Sequence, residues 1–284
     1  MIHEDKSLFA ADDFVIDYRV QTGWGFPIAL YFFFSGTGAS LFLFSLIVHS
    51  SLGVLLDLLF LGTGVIILFF DLGNRRRFWK AFARPGSSWI SRGTFLITIL
   101  FLFDLIYALG GFPPLPGLVS ILFGAVALLV LLYPGLVISY SPSISSWNHS
   151  FIPILFGLHS VVNGLAIGLI LNPSLEQQWN GVIPLLLGLL LLLLVGMGIF
   201  ILVSYASTTG SKESIRLFIK GRSGTLSLLL GTGLGIVMPA LLLVGLSEGL
   251  LSWAVIPIVC VMRLIGDIGF RYAILKVGLY EPFI

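Results

Sequence analysis

The sequence predicts an all-α polytopic membrane protein: eight transmembrane helices forming two four-helix bundles, with both termini on the same side of the bilayer. Three observations predict it. Of 284 residues, 57% are hydrophobic and 10% are charged, whereas a soluble domain carries about 25% charged residues. The apolar residues fall into eight long runs, each close to the roughly 20 residues a helix needs to cross a bilayer. The Lys and Arg residues lie almost wholly on one side of those runs. This composition excludes a soluble globular fold and a disordered chain, which needs low hydrophobicity and high charge. Cys260, the single cysteine, excludes a disulfide framework and any centre needing several local thiolates. Continuous Leu/Ile/Val/Phe runs, without a ten-residue alternating pattern, point to helices rather than a barrel.

The leader MIHEDKSLFAADDFVIDY is acidic, and no small-residue cleavage site follows the next apolar run. It is therefore not read as a signal peptide. The expected spans are 26–48, 53–72, 94–110, 117–139, 152–171, 182–205, 225–246 and 251–274. An even number of spans puts the termini on one face, here called the terminal face, with the loops after spans two, four and six. Arg75, Arg76, Arg77, Lys80, Arg84 and Arg92 sit in the second loop. Lys212, Arg216, Lys220 and Arg222 sit in the sixth, and Lys6, Arg19, Arg271 and Lys276 flank the termini. The turns of the opposite face (HSSLG, GGFPPLP, NPSLEQQWNG and SEGLLS) hold no cation, and Asp57, Glu176 and Glu248 border them. The positive-inside rule then makes the terminal face and its basic loops cytoplasmic. Span five (FIPILFGLHSVVNG) faintly echoes span one (FPIALYFFFSGTG), and RSGTL echoes SRGTF. An offset of about 130 residues would relate two parallel four-helix units.

Ionisable residues deep in a span are expensive and suggest function. Asp104, His159, Arg263 and Asp267 qualify, and are read as a candidate proton path. Arg263 and Asp267, four residues apart, share a helix face and are expected to pair. Asp57 reads as a solvated residue at the opposite face. The paired glycines Gly36, Gly38, Gly62 and Gly64 read as close helix packing. GTGLG at 231–235 has no strand before it, so it is not a nucleotide fingerprint.

The stretch DLGNRRRFWKAFARPGSSWISRGTF (71–95) and the pair YPGLVIS (133–139) and SWNHSFIPILFGLHSVVNGLA (146–166) carry spaced motifs. They resemble the signature of the NrfD/polysulfide reductase family of integral membrane subunits. The matching residues are Asp71, Leu72, Gly73, Arg77, Phe78, Trp79, Pro85, Ser87, Ser88, Trp89, Ser91 and Gly93, then Tyr133 and Gly135. The ending RYAILKVGLYEP (271–282) is also similar. The resemblance implies a quinone-reactive subunit in a prokaryotic cytoplasmic membrane. Its cofactor would be menaquinone or another quinone, with no haem and no iron–sulfur cluster in this chain. Its partners would be a ferredoxin-like 4Fe-4S subunit, a molybdopterin or other redox catalytic subunit beyond it, and membrane lipid, with no nucleic acid. It also implies a quinone role for Tyr133, the alternative being an interfacial aromatic-belt tyrosine. Some relatives place a His or an acid near the start of span one. Here that position is Gly25, which leaves the second quinone partner open between Gln21 and Asp17, with Trp24 beside them. Tyr140 falls seven residues beyond Tyr133, on nearly the same face if the helix continues. Partner docking falls to Asp71, Arg75, Arg76, Arg77, Trp79, Lys80, Arg84 and Trp89. Arg and Trp are typical of binding hot spots, though such residues also anchor loops to headgroups. Asp71 is expected to pair with Arg75 or cap the loop.

Overall fold

A computed structural model describes residues 18–172 and 181–280. Among the described residues the chain forms ten α-helices: Phe26–Val48 (α1), Ser51–Asp71 (α2), Trp89–Leu109 (α3), Gly117–Ser139 (α4), Phe151–Leu171 (α5), Val182–Ala206 (α6), Thr209–Lys220 (α7), Arg222–Leu228 (α8), Met238–Ser247 (α9) and Val255–Lys276 (α10). Seven stretches are long and apolar enough to cross a membrane, namely α1 to α6 and the continuous segment Gly224–Ser247. The protein is therefore a multi-pass membrane protein. The eighth expected span, α10, is helical as predicted, but Arg263, Asp267 and Arg271 set its composition apart from the seven.

Local chemistry fixes most helix starts. Pro27, Pro153, Pro184 and Pro257 each lie in a first turn, where the missing N–H has no helical acceptor to lose. The Ser50 hydroxyl accepts from the Gly53 amide at 3.2 Å and opens α2. The Ser88 hydroxyl accepts from the Ser91 amide at 3.4 Å. That cap starts α3 at Trp89, five residues ahead of the expected start at 94, so Trp89 is helical rather than part of the loop. The seventh span is not one regular helix. Between α8 and α9, residues Leu229–Val237 wind as a π-helix.

Glycines set the packing. A methyl group at Gly135 would overlap the Pro153 backbone, so α4 and α5 cross almost in main-chain contact. Gly164 and Gly168 sit against Ser40 and the Phe44 ring, which draws α5 onto α1. These two helices occupy the centre: 72% of the apolar stretch of each is buried, against 22% for α3. Gly64 lies against Phe34, and Gly235 against Gly266.

Two expectations are corrected. Asp57 is not a solvated residue; it lies in α2 and is fully buried. The hydropathy pattern put it near a span edge, but helix α2 begins at Ser51 and carries it about 9 Å inward, at 1.5 Å per residue. Arg271 is not a flanking cation. It is fully buried inside α10, which continues to Lys276.

Two features lie outside the sequence reading. Arg19–Val20 (β1) pairs antiparallel with Leu279–Tyr280 (β2), clasping the two described ends of the chain. The sixth loop contains α7, an amphipathic helix that buries Ile215 and Phe218 and exposes Arg216 and Lys220.

Candidate functional site

The structure sorts the expected site residues into four places. The first is a tyrosine pair. Tyr133, on α4, is 2% exposed, and its ring lies where a methyl group at Gly93 of α3 would stand. Only glycine at 93 permits that approach. The Tyr133 hydroxyl lies 3.4 Å from that of Tyr31, on α1. This separation is long for O–H···O, so each hydroxyl keeps hydrogen-bonding capacity. One turn beyond Gly93, Ile97 lines a membrane-facing groove of about 270 Å³ between α2 and α3, with Gly62, Val65 and Phe101.

The other quinone candidates are elsewhere. Asp17 lies outside the described residues. Gln21 is buried, and its amide is committed to the backbone: Nε2 donates to Trp24 O at 2.8 Å and to Leu275 O at 2.6 Å, and Oε1 accepts from Trp24 N at 2.8 Å. Gln21 thus ties the start of α1 to the end of α10. Trp24 packs on Trp147 at 5.3 Å between ring centres. Tyr140 follows the end of α4, is 68% exposed and packs at a tilt against Trp89, 5.3 Å between ring centres. Tyr140 caps α4, its amide closing the last turn on Leu136 O, and its side chain stands at the surface while that of Tyr133 is buried.

The second place is an ionic cluster between α1, α5 and α10. Asp267 accepts from Arg271 Nε at 2.9 Å and from Asn163 Nδ2 at 2.6 Å. Arg271 also donates to Phe32 O, Phe156 O and Ser160 Oγ. The expected Arg263–Asp267 pair is replaced by Asp267–Arg271 at the same spacing of four. Arg263 instead meets His159 Nδ1 at 2.5 Å and donates to Gly235 O at 3.0 Å. The helical donor for that carbonyl would be the amide of residue 239, which is proline. The π-helix and Pro239 together leave the oxygen open to Arg263. A guanidinium keeps its protons, so Nδ1 of His159 is the acceptor in this geometry, although it also lies 3.2 Å from Asp267 Oδ1. The proton then resides on Nε2, which has no partner among the described residues. The His159 ring lies flat on Phe270, 4.2 Å between centres.

Asp104 is not part of that cluster. It faces Asp57 in a third place, between α2 and α3. The two carboxyl groups interact with each other, and among the described residues no donor reaches any of their four oxygens. The expected proton path is thus divided between two sites. Three adjacent residues of α1 lie between them: Gly36 abuts Ser160 and Arg271, Thr37 accepts from Asn163 at 3.0 Å, and Gly38 abuts Asp57.

The fourth place is the basic loop. Arg75–Phe82 forms a 3-10 helix held to α2 and α3 by the ring series Phe69, Phe78, Phe82 and Phe95. Arg75, Arg76, Arg77, Lys80 and Arg84 are exposed, and none has an ion-pair partner among the described residues. Asp71 does not pair with Arg75, whose guanidinium meets the carbonyl and ring of Phe70 instead. Arg92 donates to Pro85 O and Gly86 O and lies over Trp89. Trp79 is 64% exposed beside Lys80.

The sequence does not single out Tyr31, Ser160, Asn163 or Arg271 as site residues, and it favours a solvated loop position for Asp57 over a proton entry point. A usable signal existed for two of them: Asn163 follows His159 by four residues, and Arg271 follows Asp267 by four.

A family model described as Polysulphide reductase, NrfD matches residues 15–281. Among curated proteins, no match is found.

Proposed function

This chain belongs to the polysulphide reductase NrfD family, which makes it a membrane subunit of a redox complex, and from that premise we propose that it exchanges electrons between the quinone pool and a docked iron–sulfur subunit. The observation that carries the reading is the Tyr133–Tyr31 pair. Two buried phenols keep spare hydrogen-bonding capacity, about one and a half turns inside the terminal face, beside an apolar groove that suits an isoprenoid tail. A quinone bound there would supply the two-electron chemistry. Tyr133 holds and orients a carbonyl oxygen and donates its hydroxyl proton to it. Tyr31 supplies the second polar contact that the start of span one leaves open. The chain itself carries no haem or cluster, so electrons pass to the partner at the terminal face. The exposed Arg75–Arg84 stretch and Trp79 form the docking surface, and a catalytic subunit of molybdopterin or another redox type lies beyond the iron–sulfur partner.

Eight spans follow from the clasp of β1 on β2. Ends that meet require an even number of crossings, so α10 joins the seven apolar stretches, its charges turned into the bundle. α1 to α4 pack with one another and α5 packs with α6 and α10, but α5 packs at least as heavily on α1 and α4, so it joins the two proposed four-helix units rather than belonging to one alone.

Removing one hydrogen bond to a ligand costs about 0.5–1.5 kcal/mol, or roughly three- to tenfold in affinity. Tyr133→Phe is therefore expected to weaken, by that factor, the quenching of a fluorescent quinone-site inhibitor by the purified complex, with assembly intact. Unchanged quenching would move the site away from Tyr133, and a complex that never quenches would leave only a membrane anchor.

The terminal face is proposed to be cytoplasmic, in a prokaryotic inner membrane. Cysteines at Ser87 and Ser252, in a Cys260→Ala background, are to be labelled in intact cells with an impermeant maleimide. Labelling at 252 alone is expected; labelling at 87 alone reverses the orientation.

A further inference from the structure

We propose that Asp57 and Asp104 hold a single proton between them and exchange it with water on the face opposite the termini. The proposal extends the quinone reading above, since a quinone site near the terminal face gains a proton-holding group on the other side of α1. Both side chains are fully buried, and no hydrogen-bond donor among the described residues reaches them. Two ionised carboxylates in contact, away from water, repel each other strongly. Two protonated ones would discard the stronger charge-assisted bond. One shared proton gives each group a partner and leaves one negative charge.

That charge has a counterpart. With His159 neutral, the ionic cluster holds two guanidinium groups, Arg263 and Arg271, against one carboxylate, Asp267. Its surplus is a single positive charge. The wall between the two sites is the Gly36–Gly38 stretch of α1, where glycine at 36 and 38 brings both sets of side chains against the helix backbone. The singly protonated pair therefore balances the buried charge of the bundle.

A cavity ends about one helical turn short of the pair. Its volume is about 260 Å³, and it opens at the opposite face among α1, α2, α3 and α4, lined by Ser45, His49, Ser50, Ser51, Tyr107 and Ser120. It has room for several waters. Its inner wall includes Val54 and Tyr107, each three residues from one of the carboxylates and on the same helix face. The proton passes from water in this vestibule to a carboxylate oxygen and returns the same way. The vestibule's titratable groups are His49 and Tyr107, and α1 and α4 bring no charged side chain to the pair.

The test is infrared spectroscopy of the intact complex in lipid, comparing wild type with variants. A carboxylic C=O band that shifts in D₂O is expected in the wild type. It should be lost in Asp57→Asn and in Asp104→Asn, where the new amide donates to the remaining carboxylate. It should be kept, at a shifted position, in Asp104→Glu. Ser120→Trp narrows the vestibule and is expected to slow deuterium uptake by the band without changing its area. A wild type with no such band, or a band that survives both Asn substitutions, overturns the shared proton. Uptake unaffected by Ser120→Trp overturns the route. Quinol oxidation by the same samples is scored separately: a complex that keeps the band but oxidises no quinol refutes the quinone reading and leaves the proton site standing.

Discussion

The cluster around Asp267 and the pair Asp57–Asp104 are both fully buried, both ionisable and separated by one helix, but they meet burial in opposite ways. Asp267 is surrounded by donors: Arg271 and Asn163 bind it, and Arg271 is in turn fixed by two backbone carbonyls and Ser160. Among the described residues Asp57 and Asp104 have only each other. A buried charge with a full set of partners is committed to one arrangement, because removing any partner strands the rest. A buried pair short of one donor can change its proton count without breaking any other bond. The first arrangement suits a scaffold and the second a site that turns over.

The comparison can be broken at three points. Arg271→Met should do the most damage. It leaves Asp267 without its cation and opens three hydrogen bonds, and loss of one member of a buried pair costs about 3–5 kcal/mol. The variant complex should fail to accumulate in membranes or should unfold far below wild type in a detergent melt; near-wild-type stability would show that Arg271 is not the keystone of the cluster. Next come the two glycines of the dividing wall. Gly36→Ala drives a methyl group into Ser160, which is held by Phe156 O at 3.0 Å and by Arg271 at 2.8 Å. The cost should fall in the overpacking range of about 1–3 kcal/mol. Gly38→Ala meets Asp57 Oδ1, which among the described residues no donor holds apart from the proton shared with Asp104, and should cost less in the same melt. Equal losses would mean that both sides of α1 are equally rigid. The smallest effect is expected from Asp57→Asn and Asp104→Asn. Each supplies the missing donor, so stability should stay within about 1 kcal/mol of wild type or rise. A loss as large as that of Arg271→Met would erase the distinction between the two sites.

The membrane fold was legible because burial in lipid writes itself as long apolar runs, and α1, α4 and α5 begin within a residue of the expected spans. Charge depth was less legible. Hydropathy places a span edge where polarity rises, so it put Asp57 in a turn and Arg271 on a flank, although helical geometry carries both inside. Spacing showed that Asp267 has a guanidinium four residues away on either side but held nothing to choose Arg271 over Arg263. The choice depends on α5 and the π-helix, which are far away in sequence. Tyr31 stood among phenylalanines without a motif of its own, and only the packing of α1 on α4 brings it to Tyr133. The clasp of β1 on β2 rests on backbone pairing between the two ends of the chain, which no local pattern announces.

The π-helix at Leu229–Val237 also has a consequence for how the span tolerates change in length. Deleting a residue from an ordinary helix turns everything beyond it by about 100° and shifts it by 1.5 Å. A π turn carries a surplus residue, so one can be taken from this segment and the winding tightened to α while both ends of the span keep their places. What such a deletion removes is the posture of the Gly235 carbonyl before Arg263. In the segment 229–237, residue count is therefore an adjustable quantity, and the guanidinium next to His159 is the part of the protein that registers it.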